Sequence, residues 1–245
     1  NVLGSKNMAE LASQYAAEKF VMISTDKVVN PSNVMGASKR IAEIYVQALN
    51  FTPGNTTQFI TTRFGNVLGS NGSVIPIFRR QIERRKPVTV THPEVTRFFM
   101  TIPEACQLVL EAGAMGEGGE IFIFDMGEPV RIADLAKRMI QMAGLTPNQD
   151  VHITYTGLRP GEKLYEELLD KGEDNKPTHH PKIKKAAVRH SDFGTVRPLI
   201  DALIAQAGNG SAPVEIVRRM KQLVPEFASQ NSEFAALDQQ EEQAS

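Results

Sequence analysis

Residues 21–39 read VMISTDKVVNPSNVMGASK, and the order of residue types along them decides the fold. The stretch begins inside a short apolar run, Phe20 to Ser24 (FVMIS), which is the mark of a parallel strand buried on both faces. The run stops at Ser24, Thr25, Asp26 and Lys27. Asn30, Pro31 and Ser32 then signal a helix start. The spacing predicts that helix over 33–51, with Ile41, Ile44, Tyr45, Ala48 and Leu49 turned inward. In open α/β sheets, ligands bind outside the carboxyl ends of the strands. A hydroxyl, a carboxylate and an ammonium packed together there can donate, protonate and deprotonate. Lys39 falls in the first turns of the following helix.

Working outward, residues 3–19 are predicted as an amphipathic helix whose stripe is Leu3, Met8, Leu11, Tyr15 and Ala16. Residues 57–64 (TQFITTRF) form a second strand, 65–72 a glycine-rich loop, and 74–85 a helix closed by Lys86 and Pro87. This alternation argues for an α/β organisation with a parallel sheet. Beyond Pro87 the pattern shifts to short strands over 88–91 and 97–101, then a helix over 103–115 with Pro103 in its first turn. A strand follows at 120–125, a helix at 132–143, a strand at 151–155 and a helix at 161–170. Residues 171–181 read as a polar loop, 183–188 as a strand, and 193–207 and 213–224 as helices. Ser229 to Ser245 is Gln/Glu-rich with few branched apolar residues, so a mobile tail is expected. The predicted fold class is α/β. It comprises a parallel-sheet unit over 1–86, a smaller mixed α/β unit over 87–228, and the tail over 229–245.

With 245 residues and 41% apolar side chains, the chain is large enough for a substantial core. A formal net charge of −1 gives no global pull toward nucleic acid. Arg79, Arg80, Arg84, Arg85 and Lys86 lack interleaved aromatics and read as a solvated helix face. No apolar run approaches the ~20 residues of a membrane helix, and no signal peptide is visible. Cys106 lies among Ala105, Val109 and Leu110 and reads as a core thiol. His179 and His180 have no cysteine or carboxylate at ligand spacing, so no metal is expected. The chain opens at Asn1 inside an apparent helix, which reads as a segment of a longer polypeptide.

A dinucleotide-binding sheet carries G-x-G-x-x-G after its first strand, and this sequence has none. Gly116, Gly118 and Gly119 follow a helix and precede a strand, the reverse order, and read as a turn. Two further groupings carry chemistry. Asn66 stands between Gly65 and Gly69, which allow close backbone approach while its amide donates. Thr89, Thr91 and Arg97 join Arg159 and Glu162 of GLRPGEK. Two arginines can clamp a diphosphate, and a carboxylate can take both hydroxyls of a ribose.

STDKVVNPSNVMGASKR, RFGNVLGSNGSVIPIF, THPEVTRFFMTIPEA and GLRPGEKLYEEL, in that order, resemble the CapD-like polysaccharide-biosynthesis proteins. These are nucleotide-sugar 4,6-dehydratases of the extended short-chain dehydrogenase/reductase superfamily. The resemblance covers residues 1–188 and implies that 1–86 form the second half of a Rossmann-like parallel sheet and 87–228 a smaller mixed α/β substrate-binding domain. It implies NAD as cofactor and a UDP-sugar, UDP-N-acetylglucosamine first, as substrate. Hydride passes from C4 to NAD+, water leaves across C5–C6, and hydride returns to C6. By resemblance, Asp26 protonates the departing 6-hydroxyl, Lys27 takes the C5 proton, and Thr25 bonds the 4-oxygen. Ser24 and Lys39 meet the cofactor, Lys39 at the nicotinamide ribose. The superfamily has Tyr-x-x-x-Lys at this helix; here the tyrosine position is Met35, as in its long, membrane-anchored branch. Asn66 would contact the nucleotide-sugar, and Val74 and Ile75 would line the base pocket. Thr89 and Thr91 would lie near uracil, Arg97 and Arg159 on phosphate, and Glu162 on ribose. The resemblance also implies a homo-oligomer, a parent at the cytoplasmic face of a bacterial inner membrane, and an NAD-binding amino-terminal half upstream of Asn1. Without that half the segment is expected to be inactive. The rivals are a C5-epimerising dehydratase or 4-epimerase, and a catalytically silent UDP-sugar-binding fragment.

Overall fold

The computed structural model describes residues 1–70, 72–168, 174–187 and 190–238. In chain order the first elements are α1 (Val2–Gln14), β1 (Lys19–Ile23), α2 (Val34–Asn50), β2 (Gln58–Arg63), β3 (Asn66–Val67) and α3 (Val74–Glu83). Next come β4 (Val88–Val90), β5 (Thr96–Arg97), β6 (Phe99–Met100), α4 (Ile102–Met115), β7 (Ile121–Phe124) and β8 (Val130–Arg131). The chain continues with α5 (Ile132–Met142), β9 (Ile153–Tyr155), β10 (Asp174–Pro177), β11 (Ile183–Ala187), α6 (Phe193–Gly208) and α7 (Pro213–Leu223). No helix among the described residues is long and apolar enough to cross a membrane.

Two compact units emerge. The first comprises residues 1–64, 108–125 and 167–245; the second comprises 65–107 and 126–166. The boundary expected at Pro87 is therefore replaced by two excursions, one after β2 and one after β7. A change of composition marks Pro87, but it does not reveal that β7 returns to pair with β2.

The first unit is built on a five-stranded sheet in the order β1-β2-β7-β11-β10. β1, β2 and β7 run parallel, with Met22 opposite Thr61 and Thr61 opposite Ile121. β11 is antiparallel to both β7 and β10. β7 (IFIF) is buried along its whole length, as a strand covered on both faces must be. α2 crosses from β1 to β2 and buries Ile41, Ala42, Tyr45, Val46, Ala48 and Leu49. α6 and α7 add Val196, Ile200, Leu203, Val217 and Met220 to the same core. Gly118 and Gly119 make the predicted turn before β7, at φ +109° and +86°.

The second unit holds three two-stranded ladders: β3 with β6, β4 with β9, and β5 with β8. α3 and α5 close its core through Phe78, Ile82, Ile132, Ala136 and Ile140, against Val88, Val90 and Val95.

Several expectations fail for local reasons. The α1 stripe faces out: Leu3, Met8, Leu11 and Tyr15 are exposed, and Ala9 is the buried residue. Small side chains at Ala9 and Ala12 let α1 lie close to α2, and that contact outweighs the larger apolar stripe. Cys106 is exposed, because α4 buries Ala105, Leu108 and Ala112 on its other face. Residues 161–168 are turns and irregular chain rather than helix; residues 169–170 of that expectation lie outside the described residues. The expected loop over 171–181 contains β10, paired to β11. The expected tail is packed as far as residue 238: Ser229 and Leu237 are buried, and Phe234 contacts the core. Its few apolar residues suffice because they are spaced to reach one groove.

Candidate active site

The carboxyl end of β1 is fixed by its neighbour. Ser24 N–H donates to Thr62 O at 2.7 Å and Asp26 N–H to Phe64 O at 3.1 Å, which carries the ladder past the last residue of the strand. Thr25 then caps a single 3-10 turn over Asp26–Val28, its Oγ1 accepting from Lys27 N–H. Thr25 Oγ1 donates to Asp26 Oδ1 at 2.8 Å, and Lys27 Nζ donates to the same oxygen at 2.8 Å. Asp26 is 1% exposed, and its other oxygen, Oδ2, is buried with no hydrogen-bond partner among the described residues. A buried carboxylate oxygen without a donor is costly.

α2 faces that cluster with its first turns. Asn33 Oδ1 caps Gly36 N–H at 2.9 Å. Lys39 Nζ donates to Ile23 O at 3.1 Å, at the end of β1. Met35 precedes Lys39 by one turn and is 45% exposed, so the position that bears a phenol elsewhere in the superfamily presents a thioether here. Sequence reasoning missed Gly36. A Cβ there would meet Lys27 O at 2.2 Å, so the turn carrying Lys27 rests on α2 only because this residue has no side chain. A glycine in the first turn of an otherwise well-formed helix was the available signal.

Beneath the cluster lies a second missed feature. Arg63, the last residue of β2, donates through Nε and Nη2 to Glu43 on α2, at 2.9 and 2.7 Å, and Arg40 adds a contact at 3.1 Å. Glu43 and Arg63 are 0% and 1% exposed. Burial alone would raise the Glu43 carboxyl, but the charge and hydrogen bonds of Arg63, with help from Arg40, more than reverse this and hold it below its ordinary value. Ser24, Thr25, Asp26, Lys27, Met35 and Lys39 thus gather in the first unit, at the end of β1 and on α2, and the buried ion pair ties α2 to the neighbouring strand β2.

In the second unit the expected phosphate and ribose residues converge on Glu162. Thr91 Oγ1 donates to Glu162 Oε1 at 3.0 Å, Arg97 Nη2 to the same oxygen at 3.1 Å, and Arg159 N–H to Oε2 at 3.1 Å. Arg97 also lies 3.6 Å from Glu166, which the sequence reading had not singled out. The Arg159 side chain is exposed. Thr89 does not join this group: its hydroxyl accepts from Gln81 on α3 at 2.9 Å. Asn66 pairs through its backbone N–H with Phe98 O at 3.1 Å, and half-buried Val74 and Ile75 open α3. His179 is engaged by Glu111, Nε2 to Oε1 at 2.9 Å.

Residues 1–188 match the family model described as "Polysaccharide biosynthesis protein". The chain is 56% identical over 204 residues to the capsular polysaccharide biosynthesis protein CapD of Staphylococcus aureus, covering 83% of this chain and 34% of that one. It is 41% identical over 170 residues to a UDP-glucose 4-epimerase of Rickettsia canadensis, covering 69% of this chain and 48% of that one. Among solved structures it resembles Pen from Bacillus thuringiensis, with a TM-score of 0.67 and 31% identity, over 82% of this chain and 67% of that one. The chain spans about a third of the length of the first curated relatives it matches. The strand-end cluster, the parallel sheet and these matches together show that the chain belongs to the polysaccharide biosynthesis protein family, of the CapD-like type within the extended short-chain dehydrogenase/reductase superfamily.

Proposed function

We propose that this chain carries the proton-transfer and nucleotide-binding residues of an NAD-dependent 4,6-dehydratase acting on a UDP-sugar, UDP-N-acetylglucosamine in the first instance. The observation that carries the reading is the shared oxygen of Asp26. Thr25 and Lys27 both donate to Oδ1 at 2.8 Å, while buried Oδ2 is left without a partner among the described residues. Loss of water across C5–C6 needs an acid at the 6-hydroxyl and a base at C5, and an ion pair supplies both without changing the net charge of the site. One proton crossing from Lys27 to Asp26 leaves a carboxylic acid and a neutral amine. The amine then takes the C5 proton and the acid releases its own to the departing hydroxyl. Thr25 would steady the 4-oxygen. Ser24 and Lys39 would hold the nicotinamide ribose, and Lys39 would ease loss of the 4-hydroxyl proton. When bound, NAD+ supplies the acceptor and later the donor of the hydride.

On the nucleotide side, Arg159 would offer an exposed guanidinium to the diphosphate, and Arg97 would do so once Glu162 turns to the ribose. Asn66, Val74, Ile75, Thr89 and Thr91 would complete the grip. The likeness to UDP-glucose 4-epimerase favours a second reading, C4 epimerisation. Both reactions begin by oxidising C4, so Met35 does not separate them; the Asp26–Lys27 pair favours dehydration, because C4 epimerisation needs neither an acid at the 6-hydroxyl nor a base at C5.

The test uses the full-length protein, UDP-N-acetylglucosamine and D2O. Dehydration gives a 4-keto sugar with a C6 methyl group and solvent deuterium at C5, seen by NMR. A C4 epimer that keeps its 6-hydroxyl would replace this reading with the second, and an unchanged sugar would defeat both.

A further inference from the structure

Lys221 sits near the end of α7 and is 1% exposed. Its ammonium donates to Phe227 O at 2.6 Å, pairs with Asp238, and lies 4.3 Å from the centroid of the Phe227 ring. Asp238 in turn accepts from Ser229 N–H at 2.9 Å. Residues 225–238 are thus drawn into a closed segment around one buried cation. Sealing the core needs no charge at this position. A methionine or leucine would do so without the desolvation cost of an ammonium. What the lysine adds is direction, because its donors fix where the chain turns at Phe227 and where it returns at Asp238.

The same segment reaches the active-site end of the unit at two points. Ala228 N–H donates to Pro31 O at 3.1 Å, and Glu226 accepts from Arg40 Nε at 3.3 Å. Pro31 is buried in the loop between Lys27 and the Asn33 cap of α2. Arg40 follows Lys39 and also bonds Glu43. One end of that loop is pressed on Gly36 through Lys27 O, and its middle is held by Ala228. The family match ends at residue 188, so this segment lies outside the sequence that defines the family.

We propose that residues 225–238 form a strap, fastened by Lys221, that holds the loop over 28–33 in place, and that Lys221 is thereby a positioning residue for Lys27 and Lys39. The effect on turnover rests on the dehydratase reading; the effect on the loop does not. The experiment compares full-length wild type with Lys221→Met, which unfastens the strap, and with Ala228→Pro, which removes the N–H that Pro31 O accepts while Lys221 is kept. Amide hydrogen exchange is followed peptide by peptide, alongside Tm, kcat and KM. Loss of one such hydrogen bond corresponds to about tenfold faster local exchange. That rise is expected over 28–36 in both variants, and over 225–238 in Lys221→Met. kcat should fall about tenfold with KM for the UDP-sugar held, since the nucleotide-binding residues of the second unit are untouched and the loss falls on the placement of Lys27 and Lys39. A purely structural lysine would lower Tm and leave the kcat-to-KM split unmoved. Unchanged exchange over 28–36 in Ala228→Pro, whose core is intact, overturns the strap. If wild type makes no 4-keto sugar while the loop still loosens, the reaction assignment fails and the strap stands.

Discussion

Arg63 in the first unit and Arg97 in the second both face carboxylates, yet the two sites are built differently. Arg63 ends a six-residue strand and is locked bidentately onto Glu43, with neither side chain open to solvent. Arg97 lies on a two-residue strand and shares Glu162 with Thr91 and the Arg159 backbone, and the Glu162 side chain is 20% exposed. The first arrangement is permanent: no ligand can reach between its partners, and it fixes α2, which carries Lys39, to β2. The second is looser, with a partly exposed carboxylate shared among several donors, and under the proposed function an anionic ligand would take the place of Glu162 on Arg97. Proton-transfer groups need fixed distances, whereas groups that admit and release a charged substrate need partners that can be traded.

The sharpest break between the two sites is expected from Lys27→Met in the full-length protein. Removing the proposed C5 base should lower kcat by roughly 10²–10⁴-fold, while the affinity for UDP, which the proposed function assigns to the second unit, stays unchanged by calorimetry. Normal turnover would end the role given to Lys27.

Next in size is Arg63→Met. It strands a buried carboxylate and should cost about 3–5 kcal/mol in denaturant unfolding. Adding Glu43→Leu should recover most of that loss, because no uncompensated charge remains. The pair also sets a pH dependence. Glu43 is held below its ordinary value by Arg63 and Arg40 against the opposing effect of burial. Its contribution is therefore complete above the unfolded carboxyl pKa of about 4.3. It is lost as pH falls from there through the lower folded value. An acid unfolding midpoint that does not move in the double variant would contradict this.

Arg159→Ala comes third. An exposed guanidinium that meets diphosphate contributes about 1.5–3 kcal/mol to binding, so UDP-sugar affinity should weaken by that amount with the fold unchanged. Equal affinity in titration calorimetry would remove Arg159 from the nucleotide grip and leave the looser site to Arg97 alone.

The contrast between the units also bears on what was legible in the sequence. FVMIS, TQFITTRF and the α2 stripe announced β1, β2 and the helix between them, because uninterrupted or periodic apolar runs of that length suit few alternative structures. Glu43 was not legible. A carboxylate among Ile41, Ala42 and Tyr45 looks like a solvent-facing residue until its partner, distant in sequence, is known. The second unit gave its short strands but not the irregular path of 161–168, since GEKLYEEL has helical composition and is held instead by bonds to Thr91, Thr96 and Arg97. α1 and residues 229–238 were misjudged for a shared reason. Apolar content says how much can be buried, whereas the elements packed alongside decide which side chains are.

The smallest effect is expected from Met35→Tyr, and it tests whether the fixed site tolerates new chemistry. Met35 is 45% exposed in the first turn of α2, so a phenol there need not enter the core, and stability should change by no more than about 0.5 kcal/mol. Lys39 follows one turn later on the same face, with its ammonium on Ile23 O. A tyrosine at 35 would restore the spacing that the superfamily uses to exchange a proton with a sugar hydroxyl. The new phenol, beside an ammonium, should ionise below its reference value of about 10 and add a limb to the pH–rate profile of the full-length enzyme. Because the phenol and Lys27 would act on different sugar protons, the limb should appear without rescue of Lys27→Met. A folded Met35→Tyr protein whose pH–rate curve overlays that of wild type would show that position 35 does not face the sugar. The preference for dehydration over epimerisation, which rests on Asp26 and Lys27, would be unaffected.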